Sequence, residues 1–518
     1  MAQRAVAISP ASPAMLRLGG AAALLVAALI LAPLAAVLWR AGGAGWPGPA
    51  DWAALRFTLL QASLSAILSA AFAIPVARAL ARRRFAGRAA LITLMGAPFI
   101  LPVIVAIAGL LTIFGRNGLA NSALGALGLP PIDIFGLHGV LLAHVFFNLP
   151  LAVRLLLEGW RAIPAEHFRL AAQLDLSPAT IFRTLEYPML RARLPGICAV
   201  IFAICLSSFA TVLILGGGPA ATNVELAIYQ AFTFDFDLGR AAVLSALQLI
   251  LVAAAAGLAL ILAGNGTAAP GLDRLVQRWD GAGGLRLWDA AVLTLATTFV
   301  ALPIVLVLGR GAASVLGLPV LIWMAAGVSL LVALASAAIS VLLALALALP
   351  RRRRFEAVGL MTLAASPLVL GTGLFLLIRP FTFPGNHVLA ITALVNAAMA
   401  LPFVLRSLSP EIRQIEATYG RLSDSLGLSG WHRFRWLLLP RLRRPLGFAT
   451  GLAAALSMGD LGVIALFPPP EAATLPLEIY RLLGAYRTEA AAGASLILTA
   501  LSFGLFLLFD RMGRHADT

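Results

Sequence analysis

The 518-residue sequence contains no lysine. A phosphate-binding loop of the Walker type needs a lysine beside the nucleotide phosphates, so the chain holds no conventional ATPase domain, and any use of ATP requires a second polypeptide. Charge of either sign is scarce. Asp, Glu, Lys and Arg make up 12% of the residues against 61% hydrophobic, and the mean hydropathy is +0.96. A soluble protein of this size needs far more polar surface. Cysteine is nearly absent: Cys198 and Cys205 fall on one predicted helix, roughly 10 Å apart along its axis at 1.5 Å per residue, beyond the reach of a disulfide. No metal-ligand cluster surrounds them. No Ser/His/Asp constellation and no pair of carboxylates in a plausible cleft is evident, and His138, His144 and His387 stand singly in or beside apolar runs. Neither an enzyme site nor a cofactor or metal is expected.

What is present is arginine and long apolar runs. All 38 basic residues are Arg, and the net charge is +16. The arginines sit in short clusters between apolar runs, the pattern of cytoplasmic loops in a membrane protein rather than of a nucleic-acid-binding surface. Runs of roughly 20 apolar residues are long enough to cross a bilayer as helices. Twelve are predicted, near 18–39, 56–80, 89–114, 136–159, 194–216 and 239–263, then near 287–309, 325–350, 356–378, 387–408, 446–466 and 491–510. The first, preceded by Arg4 and Arg17, is too long for the apolar core of a signal peptide and is expected to be a retained span. Residues 264–286 are polar and Gly-rich and read as a linker.

With the N-terminus inside, the inner segments hold 30 of the 38 arginines and the outer ones 8, so both termini are expected in the cytoplasm. The chain also repeats itself. Leu149-Pro150, Arg154, Leu174, Phe182 and Pro188 recur 252 residues later as Leu401-Pro402, Arg406, Leu426, Phe434 and Pro440. Pro98 and the Arg cluster before it recur at an offset of about 269, so the first half carries roughly 17 extra residues around 116–134. Six spans per half is an even number. The halves are therefore expected to be parallel repeats related by an axis along the membrane normal.

Two inner loops stand at equivalent places in the halves: IPAEHFRLAAQLDLSPATIFRTLEYPMLRARLP from Ile163 and PEIRQIEATYGRLSDSLGLSGWHRFRWLLLPRLRRP from Pro410. Each reads as a helix, a turn and a second helix ended by proline. Ser177 is expected to cap the second helix of the first loop, with Pro178 at its first position. Gly427 and Gly430 bracket the turn of the other. Both loops resemble the conserved cytoplasmic loop of ABC-importer permeases, Glu-Ala-Ala, three residues, Gly, nine residues, Ile, two residues, Pro. Aligned on Pro188, Arg169 stands at the Glu position, Ala171 at the second Ala with Ala172 beside it, and Asp175 at the Gly. Aligned on Pro440, Arg421 stands at the Glu and Gly427 at the Gly. The resemblance implies that these segments are coupling helices that dock in a groove of the ATPase subunit. Both glutamates are replaced by arginine and the first loop lacks the Gly, although Asp tolerates a left-handed turn better than most residues.

The resemblance extends along most of both halves. GLHGVLLAHVFFNLPLAVRLLLEGW, SSFATVLILGGGPAATNVELAIYQAF, ATYGRLSDSLGLSGW and LSMGDLGVIALF look like the thiamine ABC-transporter permease family. It implies an all-α membrane protein of twelve helices, arranged as two parallel six-helix repeats of the type I permease. The expected units are 1–55 (tail and first span), 56–263 (first permease domain), 264–286 (linker), 287–324 (seventh span and outer loop), 325–510 (second permease domain) and 511–518 (tail). It also implies a bacterial inner-membrane location, a periplasmic thiamine-binding protein and two copies of an ATPase subunit. The fused ferric-iron permeases share this architecture, and an ion-coupled secondary transporter or a structural membrane protein stays open on the residues alone. Within this frame Asp460, with Ser457, is a candidate for the substrate pathway, because an ionisable residue at membrane depth usually faces a pathway or a bundle interior. Glu225, Asp235 and Asp237 form an acidic outer segment that could contact the binding protein.

Overall fold

The computed structural model describes residues 13–262, 284–382, 384–466 and 473–514. The chain is 85% helix, and its described residues contain no strand. Most of the expected linker, 264–286, and the second half of the tail, 511–518, lie outside the described residues.

Among the described residues, eleven helices are long and apolar enough to cross a membrane. The expected ninth span is instead a pair, Arg353–Leu363 and Pro367–Ile378, bent by 96°. The expected third span is broken at the corresponding place: Arg88–Leu94 is followed by a short turn, Ala97–Phe99, and then by the helix Val103–Phe114. Proline marks both breaks. Pro102 precedes the resumed third helix, and Pro367 opens the resumed ninth, where Ser366 Oγ accepts the Val369 N–H at 3.2 Å. A missing N–H costs nothing at a helix start and much in its interior. The fifth and eleventh spans begin earlier than expected and break before their expected ends. Helix Tyr187–Leu206 stops at Ser207–Ser208 before Phe209–Leu215, and Leu439–Met458 stops at Gly459–Leu461 before Gly462–Leu466. The first residues of these two breaks, Ser207 and Gly459, are again 252 apart.

In lipid, apolar side chains gain little by leaving their surroundings for one another, so helices associate through close packing of small residues. The second span shows this: Ala54, Ala62, Ser65, Ala66, Ser69, Ala70 and Ala73 make its buried face, which packs on helix Leu137–Arg161. Leu24, Leu25, Trp39 and Leu331 are exposed, consistent with faces turned to lipid.

The first helix of each half reaches across to the other. Pro13–Gly42 packs against Pro367–Ile378 and Val320–Ala348, while Gly284–Ser314 packs against Val103–Phe114 and Pro49–Arg82. Each crossing depends on one glycine. A Cβ on Gly373 would strike the Pro33 carbonyl, and one on Gly109 the Pro303 carbonyl.

Two loop expectations need correction. Pro188 and Pro440 do not end helices. Each follows a π-helical turn, Phe182–Glu186 or Phe434–Leu438, in which the next N–H reaches back five residues, Tyr187 to the Phe182 carbonyl and Leu439 to the Phe434 carbonyl. The widened turn moves aside the carbonyl that the proline ring would otherwise strike, so the helix runs on. Nor does the second loop begin a new helix at Pro410. Val388–Ser425 is one helix of 38 residues passing through Pro402 and Pro410, whereas the first loop starts afresh with Ala165–Gln173 after Pro164.

Candidate functional site

The two loops end their first helices alike. In one, the Leu176 N–H donates to the Ala171 carbonyl at 3.0 Å and the Asp175 N–H to Ala172 at 3.1 Å. In the other, Leu428 donates to Ser423 at 2.9 Å and Gly427 to Asp424 at 3.0 Å. This double closure needs a left-handed residue between. Asp175 supplies it at φ 46° and Gly427 at φ 67°. Ser177 caps the following helix, its Oγ accepting the Thr180 N–H at 3.3 Å. Ala171 is buried against Phe168 and Ile181, and Ala172 is exposed. Arg169 and Arg421 are exposed; Arg169 lies 3.9 Å from Glu166, an exposed pair of small worth. What the loops offer outward is apolar: Leu170 and Leu174 on one, Leu422 and Leu426 at the same offset on the other, all more than half exposed.

The loops differ underneath. Behind the second, the buried Glu416 carboxylate accepts from the Arg433 guanidinium through both oxygens and from Arg351 Nη1 at 3.0 Å, and Arg433 Nη1 also reaches Asp424 at 2.8 Å. Behind the first loop the buried Glu186 accepts from Arg78 Nε at 2.6 Å, and the loop's first helix rests only on the apolar Phe168, Ala171 and Ile181 cluster. Removing one member of a buried ion group strands the others, at a cost of about 3 kcal/mol. Glu416→Ala is therefore expected to lower the thermal unfolding midpoint in detergent well below that of Glu166→Ala. Equal midpoints would show that the ion group does not brace the loop.

At the other candidate site the helix breaks converge. A cavity of about 370 Å³ is lined by Ile100–Val103 of the broken third span, His144, Phe147 and Asn148 of the fourth, Ser207–Thr211 at the fifth-span break, Glu225, Pro367–Leu368 of the ninth, and Gly459–Gly462 at the eleventh-span break. Both halves of the sequence thus contribute walls. Gly459 lets the eleventh-span break approach Pro102, since its Cβ would sit 3.0 Å from the Pro102 Cα.

Asp460 lies on this wall. Its Oδ1 accepts the Gly462 N–H at 3.3 Å, and Oδ2 has no hydrogen-bond partner. Ser457, expected beside it, faces elsewhere: it bonds Ser336 Oγ at 2.9 Å and Asn396 Nδ2 at 3.0 Å, tying three helices together. Glu225 is not on an outer loop. It is fully buried in helix Val224–Thr233 and belongs to the cavity wall, so it offers no surface to a docking protein. Asp235 and Asp237 lie in the connection between helices Val224–Thr233 and Leu238–Leu262. Asp237 Oδ1 accepts the Arg240 N–H at 2.9 Å, capping helix Leu238–Leu262, and Asp235 pairs with Arg240 Nη1 at 2.8 Å. His144, which stands singly in the sequence, also lines this cavity. Ser65 Oγ meets its Nδ1 at 2.8 Å, and Nε2 has no partner. The spacing of His144 and Asn148, four residues apart on one helix face, is the signal that could have found it.

Broken helices around a largely apolar cavity that carries a few polar groups, inside a bundle of membrane-length helices, define a membrane transport permease. No family model matches the chain. It is 41% identical over 524 residues to the thiamine transport system permease protein ThiP of Salmonella typhimurium, covering 96% of both chains. To the protein of the same name from Escherichia coli it is 41% identical over 534 residues, covering 98% of this chain and 99% of the relative. A probable sulfate transport system permease protein of Helicosporidium is 27% identical over 231 residues, 43% of this chain and 85% of its own. The chain belongs to the thiamine transport system permease family.

Proposed function

We propose that the chain is the permease subunit of an ATP-binding-cassette importer that moves thiamine, or its phosphate esters, across the bacterial inner membrane. A periplasmic binding protein delivers the substrate, and two copies of a separate ATPase subunit supply the energy. The observation that carries this reading is the cavity closed by helix breaks from both halves, with the Asp460 carboxylate on its wall. Broken helices at membrane depth are tolerated where they line a cavity, and they leave polar groups free for a solute.

In this reading the bent pair counts as one span. The twelve spans then form two parallel six-helix repeats with both termini cytoplasmic. The 252-residue offset, the matched loop closures and the reciprocal glycine contacts of the two crossing helices support that arrangement. So does the sulfate permease relative, most of whose length matches less than half of this chain. Asp235 and its Arg240 partner belong to the outer face on which the binding protein docks. On the inner face the ATPase takes the exposed leucines of each coupling loop, with Arg169, Arg421 and the turns at Asp175 and Gly427 at the rim. Closure of the ATPase pair on ATP pulls both loops together, opens the cavity outward to receive substrate, and hydrolysis returns it inward. The second loop is one rigid helix with its span and transmits motion directly; the first articulates at Pro164.

The walls favour an organic cation over ferric iron. They are largely apolar, and among the described residues no three His, Cys, Asp or Glu side chains converge as a metal site requires. The test is uptake by proteoliposomes holding the permease, the ATPase and the binding protein. ATP-dependent accumulation of labelled thiamine without accumulation of ferric iron is expected. Iron accumulation, or thiamine uptake that needs no ATPase, would replace this reading.

A further inference from the structure

The cavity wall carries a second carboxylate, and its surroundings are those of a built site. Glu225 opens the helix Val224–Thr233. Asn223 Oδ1 caps that helix by accepting the Leu226 N–H at 2.8 Å, and the Val224 N–H donates to Thr58 Oγ1 at 2.9 Å, fixing the first turn to the second span. Glu225 Oε1 accepts from Gln248 Nε2 at 2.9 Å, and the same amide donates to the Leu206 carbonyl at 3.0 Å, the last helical residue before the fifth-span break. The carboxylate is thus locked to the break itself. Its Oε2 has no hydrogen-bond partner, and no arginine lies within ion-pair distance of either Glu225 or Asp460 among the described residues.

Three polar atoms of residues lining this cavity therefore lack a hydrogen bond of normal geometry: Glu225 Oε2, Asp460 Oδ2 and His144 Nε2, with the Ser366 hydroxyl near Glu225 and the Asn396 amide near Asp460. Glu225 and His144 are 0% and 3% exposed. Buried carboxylates without a counter-charge are costly. A positive organic ligand relieves that cost, whereas a neutral or anionic one does not. Phe147 and Phe209 on the same wall add aromatic surface that attracts an organic cation.

From this we infer that the permease holds its own binding site for an organic cation, with Glu225 of the first half and Asp460 of the second taking the positive charge and His144 Nε2 taking a polar group of the same ligand. Glu225 is the specificity-determining residue. The site rests on the reading of the chain as a thiamine permease, and it adds that selection for charge occurs inside the membrane as well as in the binding protein.

The experiment compares thiamine with its neutral isostere, in which a thiophene replaces the thiazolium, in proteoliposomes of the complete importer. Wild type is expected to prefer thiamine, and Glu225→Gln to reduce that preference by about tenfold or more, as expected for loss of a charged contact. The same binding protein serves both variants, so a change in the ratio belongs to the permease. An unchanged ratio overturns the site. Should Glu225→Gln fail to assemble, wild type decides alone: thiamine is expected to protect Glu225 from dicyclohexylcarbodiimide, read by mass spectrometry, and absence of protection overturns the site. Were wild type to move no thiamine, the reading of function would fall by itself. Protection of Glu225 by tetramethylammonium would still support the cation site, and no protection would overturn it.

Discussion

Aspartate at both Leu422 and Leu426 will detach the ATPase subunit and abolish transport while leaving the permease folded. Both side chains are more than half exposed, so no core is disturbed by the change. They project from the last turns of the helix Val388–Ser425 and its cap, held in place by the Gly427 closure and the Glu416 ion group behind them. Exposed leucines on a rigid support contribute to binding by being covered. Two half-exposed leucines contribute about 3 kcal/mol when buried, roughly a hundredfold in affinity, and two new charges in an apolar groove add to the loss. The same double change at Leu170 and Leu174 should weaken docking at the other loop. Co-purification of the ATPase with the Leu422 and Leu426 variant, in wild-type yield, would show that docking lies elsewhere. Charge reversal at Arg421, on the same exposed turn, is expected to act more mildly because a rim charge is screened.

Valine at Gly373 or Gly109 will prevent the two halves from assembling. At each position the obstacle is backbone, a proline carbonyl on the helix that crosses from the other half, and backbone cannot rotate away as a side chain can. In a bilayer there is little compensating gain from added apolar surface, since lipid already provides it. Overpacking of this kind costs about 3 kcal/mol or more, and the crossing helix must leave its groove to make room. Loss of the monodisperse peak in size-exclusion chromatography is expected for both variants. Gly327, with nothing within 4 Å of its would-be Cβ, should accept alanine without effect. Normal behaviour of Gly373→Val would mean that the first helix does not seat as described.

Much of this was legible in the sequence because the governing rules are local. Ser177 before Pro178 announces a helix start, and Gly427 announces a left-handed close. The 252-residue offset needs only counting, and it correctly aligned Asp175 with Gly427, two chemically different residues in one conformation. The failures were tertiary. Pro188 and Pro440 looked like stops because a regular helix cannot hold them, yet a π turn one step earlier makes room. The third, fifth and eleventh spans read as continuous apolar runs, because a break in a buried helix leaves no trace in hydropathy when its exposed backbone is met by the opposite half. Glu225 stands close in sequence to Asp235 and Asp237, which do lie in the connection after its helix, so its neighbours in sequence misplaced it. Gln248, its partner, is twenty-three residues away in the next span. Ser457 adjoins Asp460 closely enough to share its assignment, but it precedes the break and still follows helical geometry, which turns it toward Ser336.

The proposed substrate path between the two halves rests most heavily on Asp460. Its decisive measurement is ATP-dependent uptake of labelled thiamine by proteoliposomes of the complete importer containing Asp460→Asn, an exchange that keeps shape and removes charge. Uptake at least about tenfold below wild type, with the complex fully assembled, is the predicted result. Uptake at the wild-type rate would contradict a substrate path along this wall.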